Sequence, residues 1–110
     1  MSQLRQICSL EQLVSEIVTV NHAWKQASEL FEKDSPLATS LRELKARLQV
    51  RLLRNHFPDV FLTPDLEAKD EDLYSLRLKR SIGNIKDAAH LPVRKAEEFL
   101  SQEEIKKFTS

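Results

Sequence analysis

Leu10, Leu13, Ile17, Val20, Trp24, Ala27 and Phe31 recur at alternating spacings of three and four, the seam of an amphipathic helix. Ser9, with Gln12 three residues on, predicts a capping box at its start. Ser35 and Pro36 predict the N-cap and first position of a second helix, so the first should stop near residues 32–34. Ser40 with Glu43 offers a rival start one turn later. Leu37, Leu41, Leu44, Leu48 and Leu52 form one stripe on this second helix. It should end by Phe57-Pro58, because a residue preceding proline is driven out of the α region. A short connection predicts an antiparallel hairpin over 9–57, its two leucine-rich seams facing each other.

Beyond Pro58 the period changes. Val60-Phe61-Leu62 is a short apolar run closed by Thr63-Pro64-Asp65 and predicts a short strand. Tyr74, Leu76, Leu78 and Ile82 then alternate with Ser75, Arg77, Lys79 and Ser81, the period of a half-buried strand. Gly83-Asn84 suits a hairpin turn that needs positive φ. Ile85, Ala89, Leu91 and Val93 suggest a returning strand, broken in pattern by Asp87, with Pro92 placing its end at a sheet edge. Arg94 to Leu100 has helical composition, and Ser101 with Glu104 predicts another capping box before Ile105 and Phe108. The expected fold is therefore a single α+β domain. It comprises a helical hairpin (9–57), a small antiparallel sheet of two or three strands (58–93) and a closing helix (94–108), bent or split in two.

The first helix carries more apolar surface than a hairpin needs. Adding Val14, Val18, Ala23 and Leu30 to its seam spreads apolar positions over roughly 240°, against a stripe of about 100° on an ordinary surface helix. Only Glu11, Ser15, Thr19, His22, Gln26 and Glu29 make a consistently polar strip. Either the sheet covers the second flank or another copy of the protein does. Trp24, beside Phe31 on the seam, should be buried against the second helix or a partner.

Composition narrows the function classes. The chain has 110 residues with 17 basic and 17 acidic side chains, one Gly and one Cys. Bulk charge thus gives no argument for nucleic acid or membrane, and a Gly-rich phosphate loop is excluded. No apolar run approaches the ~20 residues of a membrane span. With Cys8 alone, no internal disulfide forms, and the expectation is a soluble, cytoplasmic domain.

Candidate chemistry is sparse. Asp65, Glu67, Asp70, Glu71 and Asp72 cluster, but a calcium loop needs a glycine at its sharp turn and a fixed ligand register, so a solvated acidic run is expected. Cys8, His22, His56 and His90 show none of the close pairs of a zinc site, and no cue lowers the pKa of Cys8. No metal or cofactor is expected. Arg47, Arg51 and Arg54 share one helical ridge, with Arg42 and Lys45 nearby, and arginine offers bidentate geometry to phosphates. The same ridge can equally face water or pair with the acidic 65–72 segment.

Two short patterns resemble known families. Arg51-Leu52-Leu53-Arg54-Asn55-His56 at a helix end resembles the Arg-x4–6-His signature of HEPN-type ribonucleases. That resemblance implies Arg51 and His56 acting on a scissile phosphate across a helical dimer, although Leu52 stands where the family usually has a polar residue. The order helix, three strands, helix from residue 37 is similar to that of double-stranded RNA-binding domains, whose last helix opens on a lysine-rich stretch. Here Arg94-Lys95-Ala96 is followed at once by Glu97 and Glu98. A helix-turn-helix over 84–102 lacks the expected glycine turn, and its tail has no net charge. The reading that remains is a non-catalytic interaction or assembly module, homodimeric or part of a larger complex. Val14, Val18 and Trp24 are its candidate contacts, with a phosphate or nucleic-acid binder on the Arg47, Arg51 and Arg54 ridge as the alternative.

Overall fold

A computed structural model describes residues 2–65 and 72–109, with side chains from residue 10 onward. Two helices, three strands and two short helices follow in order: α1 (Ser2–Leu30), α2 (Pro36–His56), β1 (Val60–Asp65), β2 (Leu73–Ile82), β3 (Ile85–Pro92), α3 (Val93–Phe99) and α4 (Gln102–Thr109). This is the expected α+β architecture. The 29 residues of α1, at 1.5 Å per residue, account for the 43 Å long axis of the molecule.

Local signals set most boundaries. Ser35 caps α2 by accepting a hydrogen bond from Ala38 N–H at 3.2 Å, with Pro36 in the first turn. Before α4, Ser101 Oγ accepts from Glu104 N–H while Glu104 Oε1 accepts from Ser101 N–H, both at 3.1 Å. The closing segment is therefore two helices. One start differs from expectation. Ser9 lies inside α1, which begins at Ser2, because residues 2–8 contain neither Gly nor Pro to stop it.

The sheet is antiparallel with β2 in the centre. Ile82 pairs with Ile85 around Gly83, whose φ of +60° opens the two-residue turn. β1 continues through Pro64, which sits opposite Tyr74 on an edge strand, where a missing N–H is tolerated. The break at Asp87 is a bulge: the register shifts beside Arg77, and Ala89 takes a φ of +66°. Ala89 N–H donates to Asp87 Oδ1 at 3.3 Å.

The core joins all layers. Val14 and Ile17 of α1, Leu52 and Leu53 of α2, Val60, Leu62, Leu76 and Leu91 of the sheet and Phe108 of α4 are buried together. The hairpin's second flank is thus covered by the sheet at Val14, which is fully buried, while Val18 at its rim stays 40% exposed.

The hairpin's interior takes only part of the leucine stripe expected: Leu48 and Leu52 are buried and Leu41 is half-buried. Besides leucines, α2 buries Ala38, Lys45, Gln49 and His56. Leu37 and Leu44, by contrast, are 50% and 45% exposed. Helical geometry places these two roughly 100° away from that buried row. Two of these polar groups find distant partners, while Gln49 Oε1 and His56 Nε2 have none among the described residues. Lys45 Nζ donates to Asn21 Oδ1 at 3.2 Å and lies 4.5 Å from the Trp24 ring centre. Gln49 Nε2 donates to the Ala88 and His90 carbonyls at 2.8 and 3.2 Å.

Candidate interaction surface

The arginine ridge is partly consumed by the fold. Arg47, Arg51 and Arg54 line a groove of about 390 Å³ with Val50, Asn55 and Phe99. Arg54 clamps Glu104 with Nε and Nη2 at 2.8 and 3.0 Å, and Nη2 also donates to the Phe99 carbonyl at 3.0 Å. This fork holds the Glu104 carboxyl down at about 2, with help from Ser101 N–H, and raises the Arg54 guanidinium. Arg47 sits 6.0 Å from the Phe99 ring centre. Glu43, lowered by its hydrogen bond to Lys95, ties α2 to α3 beside them. Of the three arginines, Arg54 therefore anchors the closing helices. Arg47 and Arg51 are both exposed and make no ion pair among the described residues.

The Arg51 and His56 pair does not converge. His56 is buried, and its Nε2 has no hydrogen-bond partner among the described residues. Burial holds its pKa below the usual imidazole value, opposed by the charge of Asp59. Five residues along a helix put Arg51 on the other side of α2, exposed. Lys95, in the segment similar to the RNA-binding helix, is engaged by Glu43 and Glu98. Among the described residues no group of three or more His, Cys, Asp or Glu could hold a metal, and no helix is long and apolar enough to cross a membrane. The acidic residues Glu67, Asp70 and Glu71 and the Cys8 side chain lie outside the described residues.

Trp24 is half-buried in a recess of about 150 Å³ shared with Lys25, Arg42, Lys45 and His90. Apolar exposure concentrates elsewhere, on the hairpin face turned away from the sheet. Leu30 is 75% exposed and Phe31 59%, joined by Leu37 and Leu44. On α2, Leu37, Leu41 and Leu44 follow spacings of four and three and lead to the buried Leu48; on α1, Val20 and Ala23 are half-buried, Ala27 is buried and Leu30 is exposed. Asn21 meets Lys45 across the hairpin, so these two rows run side by side, Leu30 near Leu37 and Ala23 near Leu44. The expected positions Val14 and Val18 lie on the opposite flank. Phe31, expected inside the seam, is at the hairpin tip because α1 stops at Leu30. The row was visible in the sequence, but its side of the helix was not. No family model matches this chain, and neither does any curated protein or solved structure.

Proposed function

We propose that this protein is a non-catalytic assembly module that pairs with a second copy of itself through the outer face of its helical hairpin. The observation that carries the reading is the leucine row on α2, exposed at Leu37 and Leu44 and matched on α1 by Leu30. Two adjacent heptad-spaced rows are what a four-helix arrangement buries. Fully burying a leucine contributes about 1.5–3 kcal/mol, and an isologous interface counts each side chain twice.

Charge selects an orientation. Glu16 and Arg51 lie nearly level at the end of the face remote from the tip, as the Asn21 to Lys45 contact sets the register. Neither makes an ion pair among the described residues. A two-fold axis along the hairpin lays α1 over the partner's α2, antiparallel, and brings Glu16 to the partner's Arg51 at both edges.

Sedimentation over a wide concentration range tests the reading. Wild type should be a dimer whose affinity changes little with salt. Leu44→Glu should give a folded monomer that melts below dimeric wild type and shows no dependence of melting temperature on protein concentration. Val18→Glu, on the other flank, should remain dimeric. A wild type that stays monomeric at high micromolar concentration defeats the proposal.

A further inference from the structure

The sheet has one face in the core and one outside it. On β2, Leu76 and Leu78 turn inward, while Ser75, Arg77, Lys79 and Ser81 take the other side. Strand register sets Phe61 of β1 directly across from Arg77. Phe61, Thr63, Arg77, Lys79, Ser81 and Lys86 line a shallow groove of about 620 Å³.

Charge is segregated here. Residues 73–86 contain Arg77, Lys79, Arg80 and Lys86 and no Asp or Glu, in a chain whose net charge is zero. All four cations are exposed and make no ion pair among the described residues. Two of the acids at the margins face their own chain: Asp87 Oδ1 accepts from Ala89 N–H, and Asp65 Oδ2 lies 2.9 Å from His90 Nε2. The exposed Asp59 stands beside Lys79, whose backbone N–H donates to the Asp59 carbonyl at 2.8 Å. Two cations elsewhere do hold the fold together, Arg54 with Glu104 and Lys95 with Glu43. This group has no such task.

We propose that this groove binds single-stranded nucleic acid, with phosphates on Arg77, Lys79 and Lys86 and one base stacked on the half-buried Phe61 ring. Cations alone would attract any polyanion. The aromatic ring among them, with the Thr63 and Ser81 hydroxyls at its sides, favours an unpaired strand whose bases have free faces. A duplex keeps those faces stacked inside, so it should bind more weakly. The site is separate from the hairpin face and does not depend on dimer formation.

Fluorescence anisotropy with a labelled twelve-nucleotide oligo-U, and oligo-dT in parallel, measures the binding across a salt series. Each phosphate neutralised contributes about −0.7 to the slope of log K against log salt for a single strand. Three contacts thus predict a slope near −2. Lys79→Gln and Lys86→Gln should each remove roughly one contact's share of it. Phe61→Ala should weaken binding roughly ten-fold or more with the slope unchanged, its folding checked by circular dichroism. A second aromatic variant, Phe61→Tyr, should retain affinity. Arg51→Gln and the dimer-directed Leu44→Glu should leave binding as in wild type. Tighter binding of oligo-U than of oligo-dT would assign the groove to RNA, and equal binding to either strand; both support the proposal. It is overturned if no salt-dependent binding is seen, if Phe61→Ala binds as wild type, or if duplex or heparin competes as well as the single strand.

Discussion

His56 shows how one buried side chain makes stability depend on pH. Its imidazole is held below its ordinary pKa of 6.5, chiefly by burial, so the folded state resists a proton that the unfolded chain accepts. Stability should therefore fall as pH drops below about 6.5, and the loss should level off once the folded state's own lower pKa is passed. Urea midpoints at pH 7.5 and 5.5 should differ less in His56→Leu than in wild type. Residue-level signals divide by the distance over which they act. Ser35, Pro36, Gly83 and the Ser101 and Glu104 pair were legible because each is satisfied within a few residues. The positive φ of Ala89 was not, since nothing marks an alanine as a bulge residue. The polar interior of α2 was equally hidden, because Lys45 and Gln49 find their partners on α1 and β3.

At the scale of elements, the closing helices are held by the Arg54 fork on Glu104 and by Lys95 with Glu43 and Glu98. Glu104 is lowered from 4.5 to about 2. Its contribution is present above pH 4.5 and lost as pH falls toward 2, because protonation ends the clamp. Both side chains are partly solvated, at 48% and 30% exposure, so screening leaves roughly 1 kcal/mol. Glu104→Gln should cost about that much at pH 7 by denaturant unfolding, and it should flatten the acid arm of the stability curve. The strands themselves were readable from alternation, which already set Arg77 and Lys79 on the side opposite Leu76. What alternation omitted was the neighbour: Phe61 joins those cations only through the β1 and β2 register. The leucine stripe on α2 was only half right for the opposite reason: Leu48 and Leu52 are buried, Leu37 and Leu44 exposed. Leucine spacing reports a stripe but not which way it faces, and Ala38, Lys45 and Gln49 take the inner side.

For the whole molecule, the two proposed surfaces divide the labour of a small chain. The hairpin back carries leucines, the outer sheet carries cations, and one shared core of α1, α2, the sheet and α4 lies between. Gln49 spans that core, its amide on two carbonyls of β3. Removing it orphans buried groups at about 1–3 kcal/mol each. Gln49→Ala should therefore lower the unfolding midpoint substantially, and calorimetry should still show one transition, because hairpin and sheet lose the same bonds.

That glutamine also bears on how the chain could go wrong. A hairpin of bare leucines would be interchangeable with any other amphipathic pair, and two chains could trade helices. Here the inner side of α2 is keyed to carbonyls of the third strand, far from it in sequence. Exchange between chains must reproduce the whole lock, sheet included, or leave an amide stranded in oil. Contact between copies is thereby steered to the outside of finished molecules, away from the entanglement of half-made ones.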